Sequence, residues 1–350
     1  MFILTSLMLL ALAAGCAFAI PISVQSDLGR HINSKRWEAG PVLDEANFPD
    51  PSVILIAKST DFLSWQIIKN SNGSQRDALP VLPAWVDASS PDTWAPDVVQ
   101  LDDGSFVMYY AATTADYPNI HCIGAATSDT VLGPYVAQKS PLICPVSLGG
   151  AIDASGYDDN GQRYIVYKID GNAMGHGGPC GNTKAPIVRT PLVLQPVARD
   201  GITLQSRATV LLDNNGAADQ GVIEAPSLTK SGNTWILYFS SGCFVTHNYT
   251  VSYATADSIT GPYKRAERPL FETGDYDLDG PGGMSVFGDG KHMVFHGWKG
   301  DGGTLYSAVV GTIDGQTAEE EGLGEPQDER RTAWSSLSLT GLLTRLLHKW

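Results

Sequence analysis

One stretch of this chain is written twice. Ile123-Gly-Ala-Ala-Thr-Ser-Asp-Thr-Val-Leu-Gly-Pro-Tyr135 and Val251-Ser-Tyr-Ala-Thr-Ala-Asp-Ser-Ile-Thr-Gly-Pro-Tyr263 each read as a strand, an Ala-Thr-x-Asp step and a turn closed by Gly-Pro-Tyr. Ala57-Lys-Ser-Thr followed by Asp61-Phe-Leu-Ser-Trp65 is a divergent copy. A hairpin motif recurs upstream of these units. It stands as Asp102-Asp-Gly-Ser-Phe-Val-Met-Tyr-Tyr110, Asp158-Asp-Asn-Gly-Gln-Arg-Tyr-Ile-Val-Tyr167, Ser231-Gly-Asn-Thr-Trp-Ile-Leu-Tyr-Phe239 and Phe287-Gly-Asp-Gly-Lys-His-Met-Val-Phe-His296. In each, a Gly/Asp/Asn turn precedes alternating apolar residues, which is the sequence mark of a β-hairpin. The copies recur about every 55–75 residues, the spacing of propeller blades rather than of solenoid turns. A single blade cannot bury both faces, so blades must stack around an axis. The expected fold is all-β, a five-bladed β-propeller. A two-sheet sandwich is the alternative, but it leaves the repeated hairpin with its repeated downstream turn unexplained.

Composition agrees with many short strands. The chain has 37 glycines and 21 prolines in 350 residues, and helical periodicity is nearly absent before the C-terminus. A formal charge of −14 argues against a nucleic-acid partner, because phosphates would be repelled. Residues 1–19, an apolar run ending Ala17-Phe18-Ala19, read as a secretory signal peptide, so a secreted, extracellular protein is expected. No later segment is long and apolar enough to predict a membrane span. Beyond Cys16, the cysteines are Cys122, Cys144, Cys180 and Cys243, which allow three pairings. Cys122–Cys144 with Cys180–Cys243 is favoured, because the first pair staples one local repeat. Asn72-Gly-Ser74 and Asn248-Tyr-Thr250 are glycosylation sequons. Residues 20–39 read as a lead-in, 40–315 as the propeller and 316–350 as an atypical tail, disordered or helical.

A short apolar strand precedes each hairpin and carries a special residue near its start. The segments are Phe48-Pro-Asp50-Pro-Ser, Trp94-Ala-Pro-Asp97-Val, Ala151-Ile-Asp153-Ala-Ser and Ile223-Glu224-Ala-Pro-Ser; the fifth, Gly280-Pro-Gly-Gly-Met-Ser-Val286, has no acid. If these are the innermost strands, their starts converge at one end of a central channel. Acids distant in the chain then share one pocket. A lone Asp in such a place is more often a turn cap. Four of five at equivalent repeat positions favour chemistry instead. Glycoside hydrolysis needs this pairing: one carboxyl donates a proton to the leaving oxygen while a second, ionised, activates water.

These segments, in this order, resemble glycoside hydrolase family 43, which comprises arabinanases, arabinofuranosidases and β-xylosidases. The similarity covers about residues 40–310 and is nearest to secreted fungal members. The resemblance implies Asp50 as general base, Glu224 as general acid and Asp153 as the residue that raises the acid's pKa and holds it, with inversion. It implies that Trp94 and Asp97 shape the pocket and that His296 matches a channel histidine which helps hold a calcium or other ion; no cofactor is required for the chemistry. His121, His176 and Trp298 are candidates to line the sugar site. The implied partner is a plant polysaccharide or oligosaccharide, handled by a monomer. Two alternatives stand beside it: a non-catalytic sugar-binding propeller, and a related fructoside-acting hydrolase that retains configuration.

The chain departs from the family pattern in three places. Ile54-Leu-Ile56 runs almost directly into Ala57-Lys-Ser-Thr where relatives usually have two further strands, so the resemblance implies that about 20–25 residues are missing and that blade one is incomplete as written. Gly302-Gly-Thr-Leu-Tyr306 stands where many relatives carry an arginine. The chain also closes on Leu339, Leu342, Leu343, Leu346 and Leu347, which share one helical face opposite Arg345 and Lys349.

Overall fold

The structure, a computed structural model, describes residues 57–60, 65–299, 302–314 and 317–322. The signal-peptide and lead-in segments, Asp50, the Ile56–Ala57 junction and the leucine-rich end lie outside or at the edge of the described residues. Among the described residues there is no α-helix, only strands, loops and short 3-10 turns. Alternating and continuous apolar runs bounded by glycine turns leave the backbone no other way to pair.

A short ladder joins β1 (Ala57–Lys58) to β2 (Gln66–Ile67). Four antiparallel sheets of four strands follow, each connected strand to next strand. The first holds β3 (Trp94–Gln100), β4 (Phe106–Thr114), β5 (Tyr117–Ser128) and β6 (Val136–Ala137). The second holds β7 (Ala151–Asp159), β8 (Gln162–Ile169), β9 (Leu192–Val197) and β10 (Thr209–Leu212). The third holds β11 (Ile223–Ser231), β12 (Thr234–Ser241), β13 (Thr250–Ala256) and β14 (Lys264–Arg265). The last holds β15 (Gly282–Val286), β16 (His292–Lys299), β17 (Gly302–Asp314) and β18 (Thr317–Gly322).

The repeated motifs fall where the sequence places them. Each recurring hairpin is the pair of opening strands of one sheet, and its turn glycine adopts positive φ at Gly104, Gly161, Gly232 or Gly290. Each Gly-Pro-Tyr joins the third strand to the fourth. There the tyrosine hydroxyl donates back to the chain, Tyr135 to Val131 O and Tyr263 to Ile259 O. Both disulfides have the favoured pairing, Cys122–Cys144 and Cys180–Cys243.

Successive sheets stack face to face, and the second strand of each shows why. Along β4, Val107 and Tyr109 pack with Ile165, Tyr167 and Val193 of the second sheet, while Met108 and Tyr110 face Ala78, Leu79 and Val86 on the other side. Along β8, Val166 points instead at Leu228, Leu237 and Phe239. Along β12, Ile236 and Tyr238 meet Met284, Phe295 and Tyr306 of the last sheet. Every second side chain serves one neighbour and the rest serve the other. This is why the strands read as continuous apolar runs.

The opening strands β3, β7, β11 and β15 lie side by side in chain order. Each breaks its ladder with a bulge, between Trp94 and Asp97, Ile152 and Ser155, Glu224 and Ser227, and Gly282 and Ser285. One residue in each bulge has positive φ: Ala95, Asp153, Ala225 and Gly283. This register corrects the expectation that the acids share one repeat position. Glu224 is equivalent to Trp94, Ile152 and Gly282; Asp153 to Ala95 and Ala225; and Asp97 to Ser155, Ser227 and Ser285. The acids thus occupy different places in a bulge that all four strands share, and only the strand pairing fixes those places.

Candidate active site

Glu224 is the second residue of β11, with its side chain almost fully buried. Its two carboxyl oxygens have different partners. Lys168 Nζ lies 2.9 Å from Oε2, and the Tyr249 hydroxyl donates to Oε1 at 2.8 Å. Lys168 sits on β8, wholly without solvent exposure, and makes a second ion pair of 2.9 Å with Asp170. Burial opposes its charge, but the carboxylates of Asp170, Glu224 and Asp153 outweigh burial and hold its pKa above the usual lysine value. Tyr249 is equally buried. Desolvation, reinforced by the Glu224 charge, pushes its phenol well above the ordinary range, so it remains a neutral donor.

Asp153, in the bulge of β7, directs its carboxylate across the sheet joint, where Oδ2 accepts the amide hydrogen of Ala225 at 2.7 Å. The residue beside Glu224 is thereby pinned by Asp153. Pro226 follows with no amide hydrogen to pair, so this short segment is held by its neighbour sheet rather than by its own ladder.

The last opening strand carries glycines because two rings occupy its space. A Cβ on Gly282 would stand 2.0 Å from the Tyr249 ring, and one on Gly283 would stand 2.5 Å from the His296 ring. His296 pairs with Gly282 and lies over Tyr249, with centroids 5.6 Å apart and planes 20° from parallel. Ser240, which shares the register of Lys168 and His296, accepts the amide hydrogen of Gly283 at 2.8 Å.

On the other flank, Trp94 stacks on His121 with centroids 3.7 Å apart, and His121 Nε2 meets Thr113 Oγ1 at 3.1 Å. Burial lowers the His121 pKa, against the opposing pull of Asp170 and Asp92. Asp97 takes a different place: its carboxylate accepts the amide hydrogen of Gly156 at 2.8 Å between β3 and β7. Ser227 does the same for Val286 one joint later. Trp298 donates its indole hydrogen to Phe244 O and packs against Gly280, and His176 is exposed on the loop after β8. The structure thus gathers Asp153, Glu224 and His296 in one network, stacks Trp94 on His121, which feels the charges of Asp170 and Lys168, and sets Asp97 into the joint between sheets. Lys168, Asp170 and Tyr249 are the members that motif reading missed. The signal for the first was present: a lysine ends the apolar run Tyr164-Ile-Val-Tyr-Lys168-Ile169.

Among the described residues no group of three or more His, Cys, Asp or Glu side chains gathers to hold a metal. His296, the residue expected to help hold an ion, has the Tyr249 ring beside it.

A model of the glycosyl hydrolases family 43 matches residues 43–309. The chain belongs to this family. The extracellular endo-alpha-(1->5)-L-arabinanase 2 of Bacillus subtilis is 27% identical to this chain over 313 residues, 81% of this chain and 61% of that protein. The extracellular endo-alpha-(1->5)-L-arabinanase of Thermotoga petrophila is 37% identical over 240 residues, 62% of this chain and 48% of that protein. The match therefore spans under two thirds of either arabinanase. The fold is similar to that of a thermostable family-43 glycoside hydrolase of known crystal structure, with a TM-score of 0.63 at 22% identity over 80% of this chain and 88% of that one. This likeness puts the stacked sheets in the β-propeller class.

Proposed function

We propose that this family 43 protein is a secreted, monomeric glycosidase that cleaves arabinose- or xylose-containing polysaccharides of plant cell walls with inversion. The observation that carries the reading is the joint fixing of Glu224 and Asp153 on adjacent opening strands, with Glu224 clamped at both oxygens and Asp153 holding the amide beside it. A proton donor for a leaving oxygen must be held in one orientation, and this one is. Glu224 gives its proton to the glycosidic oxygen as the bond to the anomeric carbon breaks. Asp50 takes a proton from water, whose oxygen bonds that carbon from the opposite side. Asp153 keeps the acid's strand in place and adds negative charge beside it. Trp94, stacked on His121, and Trp298 offer aromatic faces for sugar rings, and Asp97 supports the pocket from the joint behind it. The names of the two arabinanases and the leader-like residues 1–19 support the substrate class and the secretion.

The reading includes a five-bladed propeller in which β1 and β2 belong to a shortened first blade ahead of the four complete sheets. The test is Glu224→Gln assayed on debranched arabinan, arabinoxylan and 4-nitrophenyl pentosides, with the anomer of the first product read by NMR. Loss of turnover in a folded variant, with an inverted product from the parent protein, supports the assignment. Undiminished turnover removes Glu224 from the acid's role, and a retained anomer removes the inverting mechanism.

A further inference from the structure

We infer that Lys168, braced by Asp170, is a positioning residue for Glu224: it fixes one oxygen of that carboxyl and supplies the charge against which the carboxyl exchanges its proton. The inference rests on the reading of Glu224 as general acid.

The first reason is cost. A lysine ammonium with no solvent exposure loses its hydration, a penalty of several kcal/mol per ion in a protein interior. Its strand neighbours Ile165, Val166, Tyr167 and Ile169 are apolar and buried, so packing alone would be served by methionine or leucine. At the equivalent register the other sheets carry Ala111, Ser240 and His296. Of the four described four-stranded sheets, only the one that faces Glu224 places a lysine there.

The second reason is geometry. Lys168 Nζ stands 2.9 Å from Glu224 and 2.9 Å from Asp170, so one cation is shared by two carboxylates. Tyr249 holds the remaining Glu224 oxygen, and its neutral phenol donates to it. The charged and titratable groups around the pair come from several elements: Asp153 on β7, Asp170 after β8, His121 on β5, Tyr249 before β13 and His296 on β16 behind Tyr249. Among the described residues of that set, Lys168 is the one cationic side chain.

Sharing makes the two partners opposite in effect. Removing Lys168 leaves Glu224 among carboxylates, so its proton is held more tightly. Removing the charge of Asp170 gives the lysine wholly to Glu224 and takes away a repelling carboxylate, so the proton is held less tightly. A residue that merely fills space would move neither.

The experiment is the pH dependence of kcat/KM for the parent, Lys168→Met, Asp170→Asn and the double variant, each checked for folding by circular dichroism. The substrate is whichever of debranched arabinan, arabinoxylan or a 4-nitrophenyl pentoside the parent turns over. The expected result is a basic limb moved up by about one pH unit in Lys168→Met and down by about one unit in Asp170→Asn, the scale on which adjacent charges move carboxyl groups. The double variant, which removes both charges, should lie between them. Should Lys168→Met fail to fold, Asp170→Asn and the double variant still decide the matter. Limbs that stay in place, or that move in one direction together, overturn the positioning role. If Glu224→Gln keeps its activity, the reading of the acid has failed instead, and the limbs report another group.

Discussion

The carboxylate of Asp153 accepts the amide hydrogen of Ala225 at 2.7 Å, across the joint between two stacked sheets. Asp153 adopts φ 59 and Ala225 φ 52, so both ends of this bond sit in left-handed bulges. A left-handed residue other than glycine costs of order 1–3 kcal/mol and persists only where its surroundings demand it. Asp153→Asn preserves an acceptor and a residue type that tolerates this conformation, so its melting temperature should stay near that of the parent. Asp153→Ala orphans the Ala225 amide and should lose about 1–3 kcal/mol in denaturant unfolding. If charge beside Glu224 matters as proposed, both variants should lose about 100-fold or more in kcat/KM.

Glu224→Gln replaces the acid by an isostere that keeps an acceptor for Tyr249 and leaves Lys168 with Asp170. Turnover is expected to fall by about 10²–10⁴-fold, the contribution of a positioned proton donor, with an unchanged circular dichroism spectrum. A substrate with a good leaving group, such as a dinitrophenyl pentoside, should recover most of the loss because it needs no proton.

Gly283 and Gly104 make a matched pair. Both have positive φ, but a Cβ on Gly283 meets the His296 ring at 2.5 Å while one on Gly104 meets nothing within 4 Å. Gly104→Ala should cost about 1 kcal/mol for its backbone conformation alone. Gly283→Ala should cost about 1–3 kcal/mol more, because the stacked His296 and Tyr249 rings must shift. Equal unfolding midpoints for the two variants would contradict this packing.

His121 gives the fold a dependence on acid. Burial depresses its pKa, so its contribution to stability is present above the ordinary histidine value of about 6.5 and is lost as pH falls through the depressed folded value. His121→Gln, which retains a polar partner for Thr113, should flatten the decline in denaturant midpoint below about pH 6.5. A slope identical to the parent's would assign that decline to other groups.

The Cys180–Cys243 bond ties the loop after β8 to the loop after β12 across 63 residues of chain. Both loops leave the sheets beside Glu224, so the bond braces the rim of the site. Cys180→Ser with Cys243→Ser should lose about 2–4 kcal/mol of stability, measured by denaturant unfolding, by freeing the unfolded chain.

Much of the architecture was legible in the chain because it is local. A hairpin is specified by a glycine turn and the apolar alternation around it, all within ten or so residues, and four copies of that pattern became the opening strands of four sheets. The Gly-Pro-Tyr turns were legible for the same reason. The general neighbourhood of Asp153 and Glu224 followed from their place at the start of opening strands. Their partners did not, since Lys168 is 56 residues from Glu224 and Tyr249 is 25, and no spacing rule links them. The assumption that Asp97, Asp153 and Glu224 were equivalent failed because they stand at different places in one shared bulge, a register that only the pairing with the second strand of each sheet fixes.

By itself, then, the order of residues determined which segments pair as hairpins, how often they repeat and which family the chain resembles, because those depend on neighbours along the chain. The packing of sheet on sheet decided that Lys168 is shared between Asp170 and Glu224, that Asp97 secures a joint, and that Gly282 and Gly283 make room for two rings. Those outcomes depend on distances between strands that are far apart in sequence, and burial sets their energies only once the strands have met.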